Sequence, residues 1–137
     1  MYNSFLNFRL SLSSTTAKVH PKSLLPSWRS GAGLRSKLVD FAITLKPDPL
    51  LKHSYPNLEP LEEGLARSFN STCLNTVLQE PIAISIEPKT EDGHNNEAIM
   101  QLFTWSIAHL ERLRILMQES GLEDAVLPAL PLLSVNE

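Results

Sequence analysis

The sequence predicts an α/β fold, a mixed β-sheet flanked by helices, and two observations carry that prediction. Leu38-Val39-Asp40-Phe41-Ala42-Ile43-Thr44-Leu45 and Pro81-Ile82-Ala83-Ile84-Ser85-Ile86-Glu87-Pro88-Lys89 are short runs rich in β-branched and apolar residues, each closed by proline or polar punctuation. After them, Ile99, Leu102, Phe103, Ile107, Leu110, Leu113, Leu116 and Met117 recur at helical spacing, so a long helix presents a broad apolar face to a sheet. A chain of 137 residues with 42% hydrophobic content has enough apolar material for one domain with a modest core.

Residues 1–37 read as a basic, weakly structured segment, punctuated by Ser13-Ser14-Thr15-Thr16, Pro21, Pro26 and Gly31-Ala32-Gly33, with one short strand expected near Ala17 to His20. The folded core is expected over residues 38–137. Its first strand, Leu38 to Leu45, stops at Lys46-Pro47-Asp48-Pro49, where prolines end the ladder. A short helix is expected around Leu58 to Arg67, with Glu59, Glu62 and Glu63 in its first turns complementing the helix dipole. The second strand runs to Lys89 and gives way to the polar turn Thr90 to Asn95. The long helix follows over Asn96 to Ser120, capped by Asn95 or Asn96 and ended by Gly121 in a left-handed conformation. Glu111 and Arg114 stand one turn apart on its outer side, and Leu132 to Val135 is a final short strand.

Charge divides the chain unevenly. Residues 1 to 39 hold six basic residues and no acid, while all 15 acids lie from Asp40 onward, within a net charge of -3. A basic arm beside an acidic body suits a polyanionic partner, and a solvated tail explains it equally well. Met1 to His20 is also Ser-rich and acid-free, the make-up of a mitochondrial presequence, although Arg9 and Lys18 are few for that role. No apolar run approaches the roughly 18 to 20 residues a bilayer needs, so no membrane role is expected and the chain reads as intracellular, nuclear or cytoplasmic with a mitochondrial alternative. Cys73 is the one cysteine, which excludes an internal disulfide and reads as a half-buried structural thiol. The four histidines show no zinc-ligand spacing, and Gly31 to Lys37 lacks the ending of a phosphate loop. Asn70-Ser71-Thr72 matches a glycosylation acceptor without a secretory signal to make use of it.

Strand parity supplies the chemistry. Asp40 shares a face with Ala42 and Thr44, and Glu87 and Lys89 share one with Ser85 and Ala83, leaving Val39, Phe41, Ile43 and Leu45, with Ile82, Ile84 and Ile86, as the expected core-facing rows. If the strands are neighbours, two carboxylates and an ammonium meet on a face of small residues. Such a set holds one divalent ion, Mg²⁺ or Mn²⁺, through Asp40, Glu87 and the backbone carbonyl of Pro88, with Lys89 placed for water and phosphate. The alternative is that both acids simply point to water from a solvated face.

The same residues resemble a known family. Val39-Asp40-Phe41, Asn75, Pro81 through Lys89, Glu97-Ala98, Gln101-Leu102-Phe103-Thr104-Trp105 and Leu127-Pro128-Ala129-Leu130-Pro131 are similar to fungal proteins with a PD-(D/E)XK nuclease-like domain, over roughly residues 17 to 135. The resemblance implies a restriction-endonuclease-like fold, Asp40 and Glu87 as metal ligands, and Lys89 as the catalytic lysine. It further implies that Gln101 assists the site through a Gln-x-x-x-aromatic motif completed by Trp105. Read without the family, Trp105 is a packed aromatic. The implied substrate is nucleic acid, DNA before RNA. Three departures from the family pattern accompany it: no acid precedes Asp40, proline holds the middle position of the acid-x-lysine triplet, and the family domain extends further. The middle proline suggests an edge or a bulge, and a partial domain that is either a nuclease, a silent nucleic-acid or protein binding module, or a non-functional fragment is therefore expected.

Overall fold

The computed structural model describes residues 9–17, 19, 22–25, 39–89, 95–127 and 129–136. The Gly31 to Lys37 stretch, Arg29, His20, His94 and the turn at 90–94 lie outside them. Four strands form one mixed sheet in the order β1 (Leu10–Ala17), β2 (Val39–Leu45), β3 (Ile82–Lys89) and β4 (Leu132–Asn136). β1 and β3 both pair antiparallel with β2, and β4 lies parallel to β3. Parallel neighbours need a long crossover. Helix α2 (Asn95–Glu119) supplies it and packs across β3, β2 and β4.

The strand expected at Ala17 to His20 lies earlier, at Leu10–Ala17. Leu10-Ser11-Leu12-Ser13 alternates with a period of two, and Leu10 pairs with Leu45, Leu12 with Ile43, Ser13 with Ala42 and Ser14 with Phe41, so Ser13 and Ser14 belong to the strand and not to a break. The helix expected at Leu58 to Arg67 is absent: those residues form bends and turns, with Gly64 at φ 80°. Pro60 and Gly64 break the pattern from within, and the segment is closed instead by Arg67 Nε donating to the Leu58 carbonyl at 2.7 Å. A short helix α1 stands upstream, over Pro49–Ser54, followed by a 3-10 turn at Tyr55–Asn57. Asp48 caps it, accepting from the Leu51 amide at 2.8 Å, with Pro49 in the first turn where a missing N–H is harmless.

Over Phe41 to Thr44 and Ile84 to Glu87 the two sheet faces are the reverse of the expected assignment, while Val39 is buried as expected. Ala42 and Thr44 are fully buried, and Ser85 and Ile82 nearly so, whereas Phe41 is 37% exposed and Ile43, Ile84 and Ile86 are half-buried. Small residues let α2 approach the sheet closely, so the row that looked like a solvated pocket is the packed one. A register shift contributes: Ile43 pairs with Ile84 but Thr44 pairs with Ile82, leaving Ala83 as the extra residue of a β-bulge that turns Ile82 onto the helix side. Val39, Ala42, Val77, Ile82, Leu102, Trp105 and Ala108 belong to the resulting core.

Two anchors tie the long connection between α1 and β3 to that core. Asn70 is fully buried; its amide donates to the carbonyls of Val77 and Glu80, and its Oδ1 accepts from the Ile82 amide at 2.8 Å. A glycosylation acceptor is therefore excluded in the folded chain. Arg112 of α2, 1% exposed, donates from Nε and Nη2 to the Ser68 carbonyl at 3.1 and 2.7 Å. α2 ends as expected, with Gly121 at φ 68° and the Leu122 amide reaching back to the Met117 carbonyl at 2.8 Å. Arg114 Nε donates to Glu111 at 2.8 Å on the outer side.

Candidate active site

Asp40 is the second residue of β2 and Glu87 the sixth of β3. The register of the pairs Phe41–Ile86 and Ala42–Ser85, extended by one residue past the end of the ladder, sets the two acids across from each other. The Asp40 amide donates to Glu87 Oε2 at 3.2 Å. Glu87 is only 9% exposed and Asp40 is half-buried. A carboxylate withdrawn from water to this extent needs charge-stabilising partners, and the amide is one of them.

Pro88 occupies an interior strand, where an edge or a bulge was expected. The sheet tolerates it because the β2 pairing ends at Phe41–Ile86, so Pro88 stands past that ladder and aligns with Val135 of β4. The register shift falls at the other end of β3. Lys89 closes β3 opposite Asn136.

Gln101 and Trp105 lie one turn apart on α2. Trp105 is 1% exposed and its indole Nε1 donates to Ser85 Oγ at 2.8 Å. It is thus a packed core aromatic with its one polar atom spent on the strand that carries Glu87. One turn further along, His109 is 4% exposed beside Ile82, and its Nδ1 is buried without a hydrogen-bond partner. Burial lowers its pKa to about 4, against which the Ile82 backbone is the smaller effect. Trp105, His109, Ile82, Ala83 and Ser85 line a void of only about 10 Å³. Cys73 is half-buried as expected, its pKa raised chiefly by burial.

The carboxylates of Asp40 and Glu87 are hard oxygen donors, the kind Mg²⁺ and Mn²⁺ take, and that donor chemistry fits such an ion. Among the described residues no group of three or more His, Cys, Asp or Glu comes together. Sequence reasoning missed Ser85, Asn70, His109 and Arg112. The one signal available for them was the presence of polar residues inside otherwise apolar periodic runs.

An antiparallel sheet closed by a parallel strand through a crossover helix, with an acid on each of two adjoining strands, is an α/β arrangement. The chain matches the PD-(D/E)XK nuclease superfamily over residues 2–137 and belongs to it. Its sheet with two helices is the restriction-endonuclease-like α/β fold of that superfamily. No curated protein and no solved structure matches the chain. No helix among the described residues is long and apolar enough to cross a membrane.

Proposed function

We propose that the chain hydrolyses phosphodiester bonds of nucleic acid, DNA before RNA, at the site formed by Asp40, Glu87 and Lys89. The observation that supports this most is the opposition of Asp40 and Glu87 on adjoining strands, joined by the 3.2 Å amide contact, in a member of a nuclease superfamily. The superfamily supplies the substrate class, and the acid-free, basic first 39 residues suit a polyanion. The side chains of Asp40 and Glu87 and the Pro88 carbonyl would hold Mg²⁺ or Mn²⁺. A divalent ion bound there supplies Lewis-acid polarisation of the scissile phosphate. Glu87 acts as a ligand whose orientation the Asp40 amide sets. Lys89 orients the attacking water and holds a phosphate oxygen, and Gln101 assists from α2. The basic N-terminal residues Arg29, Arg35 and Lys37 contribute affinity for the backbone of the nucleic acid. The basic segment at 1–37 and the core at 38–137 are the two parts of this arrangement, in an intracellular setting.

A second reading is a silent nuclease-like module that binds nucleic acid or protein. It is favoured by the acid count: among the described residues no third acid joins the pair. Single-turnover cleavage of labelled DNA with Mg²⁺ separates the two, comparing wild type with Glu87→Ala and Lys89→Ala. Cleavage lost in both variants supports the nuclease; equal residual activity in all three sinks it. Salt-dependent DNA binding without cleavage, weakened by neutralising Arg29, Arg35 and Lys37, is the signature of the module.

A further inference from the structure

Contacts join α2 to β3 in step. Trp105 bonds Ser85, and His109, four residues on, lines a small void together with Ile82. The helix therefore runs back along the strand, toward the start of β3. Four helical residues rise about 6 Å and two strand residues about 6.7 Å, so the two periodicities nearly match. The same step taken the other way, one turn before Trp105 and two residues beyond Ser85, leads from Gln101 to Glu87.

We propose that Ser85 is a positioning residue for this site: by accepting the indole N–H of Trp105, it sets the register of α2 over β3 and so the placement of Gln101 beside Glu87. The proposal rests on reading Asp40 and Glu87 as the ligands of a divalent ion. Three features support it. The bond is buried on both sides, since Ser85 is 3% and Trp105 1% exposed. Ser85 shares a strand face with Glu87, two residues away, so a slip of the helix at Ser85 reaches the carboxylate directly. The void at this contact is about 10 Å³, too small to let the indole settle elsewhere. A buried N–H deprived of its acceptor repels the apolar surface around it, and the helix must shift or tilt to bring it to water.

The test is Mn²⁺ affinity, measured by calorimetry on the full chain, for wild type, S85A, W105F, S85A/W105F, E87Q and the core control V77A, each with a thermal melt. Val77 is fully buried in the core, so V77A loses stability without removing the Trp105–Ser85 bond. S85A and W105F are each expected to weaken Mn²⁺ binding roughly tenfold, the lower end of what loss of an outer partner of a metal ligand produces. The double variant is expected to be no weaker than either single one, because all three remove the same bond. V77A is expected to bind as wild type does. Wild-type affinity in S85A while E87Q loses binding overturns the proposal alone; so does a loss in V77A matching that in S85A. Wild-type affinity in E87Q, or no Mn²⁺ binding by the wild-type chain, overturns the metal reading and the proposal with it.

Discussion

The backbone amide of Asp40 donates to the side chain of Glu87 across the β2–β3 boundary, 3.2 Å from Oε2. A main-chain donor thus orients one acid from the residue that carries the other. Glu87→Gln keeps an oxygen for that amide while removing the charge, so the variant should melt within a few degrees of wild type. Its DNA cleavage should fall at least ~100-fold, corresponding to about 2.7 kcal/mol of lost transition-state stabilisation. Single-turnover rates beside the melts decide it; cleavage at the wild-type rate by Glu87→Gln removes Glu87 from the chemistry.

Asn70 closes three backbone groups at the entry to β3. Asn70→Ala leaves two carbonyls and an amide buried without it, and should destabilise the chain by about 2–4 kcal/mol in urea denaturation. Asn70→Asp should be no better, because it retains the acceptor for the Ile82 amide yet turns oxygen toward the carbonyls of Val77 and Glu80. Stability within about 0.5 kcal/mol of wild type, the scatter of surface substitutions, would show the clamp to be dispensable.

His109 makes stability depend on pH with a definite sign. In the unfolded chain its imidazole takes a proton near 6.5, whereas burial in the fold lowers that to about 4. Above about 6.5 both states are neutral and this residue adds no pH dependence. Between 6.5 and about 4 the unfolded chain binds the proton first, so stability falls as the solution is acidified, by roughly 3 kcal/mol at the end of the window, and then levels off. Other groups titrate in the same range, so the measurement is the difference between wild type and His109→Gln across pH 7 to 4. Parallel curves would show that His109 does not carry the effect.

Arg112 buries its guanidinium to hold the Ser68 carbonyl from two nitrogens. Arg112→Met restores apolar packing but strips that carbonyl of its donors, and about 1–3 kcal/mol should be lost. Arg112→Lys keeps the charge yet cannot present two donors in a plane, so it should not rescue fully. Thermal melts of both settle the point: full rescue by lysine would mean that charge alone matters.

Gly121 ends α2 at φ 68°, with nothing within 4 Å of where a Cβ would stand. Gly121→Ala should therefore meet only backbone strain, about 1 kcal/mol, with no clash added. A loss several times larger would point to a tighter C-terminal turn than this one.

Local patterns were legible where a run obeys one period throughout. β2, β3 and α2 fall within a residue or two of their expected bounds, and Gly121 ends α2 as read. β1 was obscured because Ser13 to Thr16 carries turn-forming residue types, and only pairing with β2 makes them a strand. The acids at Leu58 to Arg67 favour a helix locally, but Pro60 and Gly64 prevent one. Asp48 and Pro49 were legible as a strand stop and are equally a helix start, since a cap and a first-turn proline use the same residues.

By itself the sequence determined the alternation that sets Asp40, Ala42 and Thr44 on one face and Ser85 and Glu87 on another, because a strand's side-chain period is two whatever surrounds it. It also determined the long amphipathic helix and the family. Which face is covered was decided only in three dimensions. The row of small residues became the buried one because α2 can approach it closely, and the Ala83 bulge turned Ile82 inward with it. The opposition of Asp40 and Glu87 was likewise a matter of register. Two strands separated by a long connection acquire a register only through pairing, and it is that pairing which brings the Asp40 amide to the Glu87 carboxylate.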